Sequence, residues 1–204
     1  MVRTRDPERK EKFLNAALQL FVAQGVQNTS TAEIAQAAGS AAGTLFLYFP
    51  TKQDVIDQLV LRISKAQSAA ITALLDPALS ARETFAAIWH GSIDWFQAHM
   101  DAFLYVQQIR HSKQISEAAV QESAQDLAYY YTAIAKGLSE GAIRPYPPEL
   151  IGGILYQHIT AVMALAGAEP NPAKQQAYIE QGFEIFWNGI QTGDHNPQSS
   201  VERK

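Results

Sequence analysis

Between Thr29 and Lys52 the chain reads TSTAEIAQAAGSAAGTLFLYFPTK, two short helical patterns separated by a glycine and closed by a proline. Ser30 followed three residues later by Glu33 is a capping-box signature: the hydroxyl accepts from the Glu33 amide and the carboxylate from the Ser30 amide. A helix is therefore predicted to begin near Thr31, with Ile34, Ala35 and Ala38 inside and Glu33 and Gln36 outside. Gly39 takes positive φ at low cost and can stop that helix in a tight turn. A second helix is predicted from Ala41 to Tyr48, in which Leu45 and Phe49 form an inward i, i+4 pair and Thr44, Leu47 and Tyr48 face outward. Pro50 breaks it, and Lys52 opens the next helix, where its charge and the free amides can both meet a phosphate. Two short helices joined by a glycine-containing turn match the helix-turn-helix, whose second helix enters the major groove of DNA. The same geometry also occurs as ordinary helix packing, so the pattern alone leaves both readings open.

Beyond Lys52 the periodicity is helical throughout. Amphipathic stretches cover about 53–75, 81–99, 101–111, 116–140, 148–167 and 173–191, broken at Asp76-Pro77, at Gly141 with Pro145-Tyr146-Pro147-Pro148, and at Pro170-Asn171-Pro172. The fold class is all-α. On the DNA-binding reading, an N-terminal three-helix helix-turn-helix DNA-binding domain over 1–52 is expected, followed by a larger helical domain over 53–191 expected to serve ligand binding and dimerisation, and a polar tail over 192–204 is expected to be disordered. Leu150 to Ala168 is the most apolar segment, but Gln157, His158 and Thr160 interrupt it and no basic cluster flanks it, which suits a buried helix better than a membrane span. No membrane partner is expected.

The helix after it carries two apolar stripes. One is Ile179, Phe183, Phe186, Trp187 and Ile190; the other is Tyr178, Gly182, Ile185 and Gly189. A helix with two apolar faces must bury both, one in its own core and one elsewhere. The natural second partner is the same pair of helices in another copy, an isologous four-helix interface. Its expected residues are Ile151, Leu155, Tyr178, Gly182, Ile185 and Gly189.

With a formal net charge of -4 the chain is not a generally basic nucleic-acid binder, so any DNA affinity must be local. Residues 1–62 carry seven basic and six acidic side chains, the remainder nine and fourteen. Arg3, Arg5, Arg9, Lys10 and Lys12 gather before and within the first helix, from which an arm could track phosphates; a solvated, frayed terminus is the plainer alternative. The absence of cysteine excludes disulfides and Cys-ligated metal within this sequence and is compatible with a reducing cytoplasm. The charged N-terminus predicts no signal peptide.

The N-terminal quarter resembles the TetR-like family of bacterial transcriptional regulators. The resemblance is carried by Phe13-Leu14-Asn15-Ala16-Ala17, Leu20-Phe21, Gly25, Thr29-Ser30-Thr31, Glu33-Ile34-Ala35, Ala38-Gly39, Gly43-Thr44-Leu45, Tyr48-Phe49 and Lys52. It implies a cytoplasmic, dimeric, ligand-responsive repressor on a palindromic double-stranded operator. The expected DNA-facing set is Thr31, Ser40, Ala42, Gly43, Thr44, Phe46, Leu47, Tyr48 and Lys52. Leu47 could touch a thymine methyl. The segment Ser40-Ala41-Ala42 departs from the family pattern, lacking a helix cap and a phosphate-pairing charge, which implies weaker or more salt-tolerant binding.

Aromatic residues concentrate mid-chain, and most must be core. Similar repressors hold an inducer among the middle helices, which implies a small apolar or aromatic ligand; the residues nominated for it are Trp89, His90, Phe96, Phe103, Gln108, Tyr130 and His158. No cofactor and no metal are implied: His90, His99, His111, His158 and His195 include no i, i+4 pair around a Glu, and no phosphate loop or nucleophile elbow is present. Asp94 and Asp101 make no acid-base pair, so the chain is not expected to be an enzyme. Two readings remain beside the regulator: a helical small-molecule binding protein with a vestigial DNA-reading head, motivated by Ala41 and Ala42, and an enzyme acting on an apolar substrate.

Overall fold

A computed structural model describes residues 6–112 and 114–193, the side chains of 111 and 112 excepted. Ten α-helices run through them: α1 (Pro7–Gln24), α2 (Thr31–Ala37), α3 (Ala42–Phe46), α4 (Lys52–Thr72), α5 (Ala81–Ala98), α6 (Met100–Ser112), α7 (Glu117–Ala124), α8 (Ala128–Ser139), α9 (Pro148–Ala168) and α10 (Pro172–Ile190). The class is all-α; among the described residues the nearest thing to a strand is an isolated antiparallel bridge between Ile143 and Gln191. The sequence predicts one helix over 116–140, whereas a 3-10 turn at Gln125–Leu127 divides it. In that tighter turn the Asp126 carbonyl accepts the Ser68 hydroxyl at 2.6 Å.

The chain forms two compact units, Met1–Ala69 with Trp95–Leu127, and Ala70–Asp94 with Ala128–Lys204. Arg3, Arg5 and the tail from residue 194 onward lie outside the described residues.

In the first unit, Asp6 caps α1 by accepting the Glu8 amide at 3.0 Å, with Pro7 at the first helical position where its missing N–H costs nothing. Phe13, Ala17 and Phe21 recur every four residues and are fully buried with Ile34, Leu45, Phe49, Val55 and Leu59. Burial of each large side chain stabilises the unit by roughly 1.5–3 kcal/mol. α6 adds Tyr105 and Ile109 to the same core. The Tyr105 ring stacks on Phe21 at 5.8 Å, and its hydroxyl donates to the Ile56 carbonyl at 3.2 Å. Burial pushes that phenol's pKa up, so it stays a neutral donor. Among the mid-chain aromatics, Tyr105 thus packs beneath the helix-turn-helix itself.

In the second unit, Phe85, Trp89, Phe183, Phe186 and Trp187 form a ring cluster, and the Trp89 indole donates to the Ile179 carbonyl at 3.1 Å. Gly182 is where this cluster demands glycine: an added Cβ would lie 2.5 Å from Val162 Cγ2 and 2.9 Å from Trp89 Cζ2. The first apolar stripe of α10 is buried as predicted, but the second divides. Gly182 faces inward, Tyr178 is half-buried, and Ile185 and Gly189 are exposed. Ile151 and Leu155 are also buried within their own unit. The expectation that Ile151, Leu155 and Gly182 meet a second copy therefore gives way to a core role. The outward apolar face of this helix pair is Leu150, Ile154, Leu165 and Ile185. α9 is long and apolar enough to cross a membrane, and a third of its most apolar window is buried. A buried helix is the expectation from sequence, and α9 is partly buried, packed against α10.

Candidate nucleic-acid interface

α2 is closed at both ends by its own sequence. Ser30 Oγ accepts the Glu33 amide at 3.2 Å, and the Glu33 carboxylate accepts the Ser30 amide at 2.7 Å. The Ser30 amide, followed by its hydroxyl and the Gln24 side chain, holds the Glu33 carboxyl below the ordinary carboxylate range. At the other end Gly39 has φ +65°, its amide donates to Gln36 at 2.9 Å, and the Ser40 amide donates to Ala35 at 2.9 Å. These two bonds are a Schellman stop.

α3 is one residue shorter at its start and two shorter at its end than predicted. The Leu47 and Tyr48 amides turn back onto Thr44 and Leu45, and the helix ends before Phe49, which precedes Pro50. The anchors are as predicted: Leu45 and Phe49 are buried, joined by a 2.9 Å amide bond. Ala41 sits at the N-cap with no side-chain bond.

The DNA-facing candidates separate into three groups. Ala42, Gly43, Phe46 and Leu47 are exposed, Leu47 at 63% and Phe46 at 46%. Thr44, Ser40 and Tyr48 are half-buried. Tyr48 is held in place, its hydroxyl accepting the Asp6 amide at 3.2 Å and its ring 5.6 Å from Phe13. Thr31 at the start of α2 and Lys52 at the start of α4 border one open groove together with Phe46. Gln27 and Asn28 border it too. The sequence reading missed them, although amide side chains just before a helix cap are ordinary phosphate donors. Gly43 has no internal need for glycine, since a Cβ there would meet nothing within 4 Å. Of the basic cluster, Lys10 is tied to the fold: its ammonium donates to Gln58 at 2.7 Å and lies 5.9 Å from the Phe49 ring centre.

The ligand candidates fall in different units. Phe96, Phe103 and Gln108 belong to the first, the two phenylalanines buried with ring centres 5.2 Å apart and Gln108 exposed and donating to the Val22 carbonyl at 3.3 Å. Trp89, His90, Tyr130 and His158 belong to the second. There Trp89 is core, the Tyr130 hydroxyl donates to the Pro148 carbonyl at 2.6 Å, and His90 lies 3.6 Å from the Glu180 carboxylate. No group of three or more residues suited to a metal ion occurs among the described residues.

Comparison with known proteins gives this geometry a setting. Residues 13–59 match the family described as "Bacterial regulatory proteins, tetR family", and residues 60–192 match "Tetracyclin repressor-like, C-terminal domain". The uncharacterized HTH-type transcriptional regulator YhgD of Bacillus subtilis is 24% identical over 76% of this chain and 83% of its own. The HTH-type transcriptional repressor KstR2 of Mycolicibacterium smegmatis is 20% identical over 89% and 90%. A solved TetR-family regulator from Shewanella sp. PV-4 superposes with a TM-score of 0.83 at 28% identity, covering 90% of this chain and 98% of that one. The two matched segments together run from Phe13 within α1 to the end of α10, and on that ground the chain belongs to the TetR family of helix-turn-helix transcriptional regulators.

Proposed function

We propose that this regulator is a dimeric, cytoplasmic repressor that reads a palindromic operator through α3 and is released by a small apolar or aromatic inducer. The observation that carries the reading is the row of α3: Leu45 and Phe49 fix it from within while Gly43, Phe46 and Leu47 stand exposed, Gly43 with no neighbour that a Cβ would meet. Leu47 is suited to a thymine methyl, Ser40, Ala42, Thr44 and Tyr48 to the groove wall, and Thr31 and Lys52 to the backbone phosphates. The exposed face of Leu150, Ile154, Leu165 and Ile185 is apolar and lies on two neighbouring helices, which supports an isologous interface with a second copy. Two copies present two recognition helices, and hence two half-sites about one DNA turn apart. The relatives named as repressors support the sign of the output. An inducer that favours the dimer whose heads no longer match groove spacing by a few kcal/mol is sufficient for release.

Selection of bound duplexes from a random library at about physiological salt tests the reading. Enrichment of one palindrome is expected. With that operator, Lys52→Ala should weaken binding to all sequences and lower the salt slope by about 1, while Leu47→Ala relaxes preference at one position of each half-site. A folded dimer that enriches no sequence overturns the reading and leaves the small-molecule binding protein in its place.

A further inference from the structure

A partly open cavity of about 530 Å³ lies wholly within the first unit, walled by α1, α4, the end of α5 and the start of α6. None of the seven residues nominated for a ligand from the sequence lines it. Its size falls within the range of small-molecule sites and exceeds the voids that close packing leaves.

Four features of the wall select a ligand. Arg62 on α4 uses Nη1 for both of its bonds, to the Glu11 carboxylate at 2.9 Å and the Asn15 side-chain oxygen at 2.7 Å. Among the described residues nothing else bonds that guanidinium, so its Nε–Nη2 edge, the fork that pairs a carboxylate, is left over. Trp95 and His99 form a flat, stacked pair with centroids 4.4 Å apart and planes at 20°. The Trp95 carbonyl lies 2.8 Å from His99 Nδ1, which must donate to it, so the ring is fixed. Leu18 and Ile63 supply an apolar floor of the kind an aromatic ring prefers. Asp101, exposed at the start of α6, is the acidic member of the wall and disfavours a polyanion such as a phosphate ester.

We infer that this cavity binds a small aromatic monocarboxylate, its carboxylate on Arg62 and its ring against the Trp95–His99 pair. The site deepens the regulator reading, on which it rests for what occupancy does. Two of its walls, α1 and α4, share the buried core that seats α2 and α3, so a ligand here bears on the reading head directly.

Calorimetric titration of the full chain with 2-naphthoate and with 2-naphthamide tests the inference. The acid should bind once per chain, and the amide at least about tenfold more weakly, as expected for loss of a charged pair. Arg62→Gln should cost the acid a similar factor, and Ala66→Trp, which fills the cavity from an exposed position, should abolish binding; thermal melts check that both variants fold. Absence of binding by 2-naphthoate, an amide that binds as tightly as the acid, or equal binding by both variants and the parent overturns the assignment. Operator selection separates the two claims. Binding through Arg62 with no DNA selected keeps the site and removes the regulator; selected DNA with no naphthoate binding removes the site alone.

Discussion

The two helices of the reading head are built to opposite rules. α2 satisfies its own ends, with a reciprocal Ser30–Glu33 box at the start and the Gly39 turn at the finish. α3 has five residues, no charged side chain, an uncapped start at Ala41 and one buried residue, Leu45. A helix of that length does not persist alone in water, so α3 exists because Leu45 and the following Phe49 hold it to the core. The contrast separates side chains that serve the fold from side chains available to a partner. In α2 the Glu33 carboxylate is engaged at home with Ser30, whereas in α3 Gly43 and Phe46, with Leu47 after them, stand exposed.

Substitutions that exchange the two rules break or sharpen this comparison. The largest effect belongs to Leu45→Ala. Removing a fully buried leucine leaves a cavity and should cost about 2–5 kcal/mol, melting the head at lower temperature in a thermal scan. Loss of less than about 1 kcal/mol would mean that α3 is held elsewhere than at Leu45. Ser30→Ala comes next, at about 1 kcal/mol for the lost cap. Its effect should depend on pH in a definite sense. Glu33 has its folded pKa lowered, so the stabilisation it receives is fully present above the unfolded carboxylate pKa and is lost as pH falls through the folded value. The variant keeps the amide–carboxylate bond and loses the hydroxyl–carboxylate one, so its deficit should be greatest near neutrality and narrow in acid; a deficit constant with pH would show that the hydroxyl–carboxylate bond contributes nothing.

The parts of this head that the sequence made legible are those whose bonds close within five residues. The Ser30–Glu33 box, the Gly39 stop and the Leu45–Phe49 pair needed only local spacing, and each is present as read. Long-range partners left no such signal. Tyr105 lies under the head because its hydroxyl reaches Ile56, and Lys10 is withdrawn from the basic cluster because Gln58 stands opposite it. Gly182 read as part of an outward stripe, since periodicity reports that a face is apolar and not which neighbour it meets. Its glycine answers to Trp89, on another helix. The cavity beside Arg62 was illegible for the same reason, its walls coming from four helices.

A smaller effect is expected at Ala41. A serine there restores the missing cap, and Ala41→Ser should raise stability by about 0.5–1 kcal/mol, read as a higher midpoint in urea. Unchanged stability would show that the first turn of α3 has no free amide for a hydroxyl to reach.

Gly43→Ala has the smallest expected effect on the fold and the most telling one on function. Glycine in a helix costs about 0.5–1 kcal/mol against alanine, and at Gly43 neither a positive φ nor an internal neighbour calls for it. By the rules that built α2, alanine should therefore be neutral or better, stabilising by about 0.5 kcal/mol near the start of so short a helix. The missing Cβ then answers to something outside the unit, which on the regulator reading is the DNA backbone at close approach. The variant should melt no earlier than the parent while its operator affinity falls at least about tenfold, a loss of about 1.4 kcal/mol in binding. Stability and affinity moving in opposite directions at one exposed residue is an outcome that packing alone cannot produce. If Gly43→Ala binds the operator as the parent does, α3 approaches DNA by another edge, and the contrast between the two helices reflects economy of sequence without a reading surface at this position.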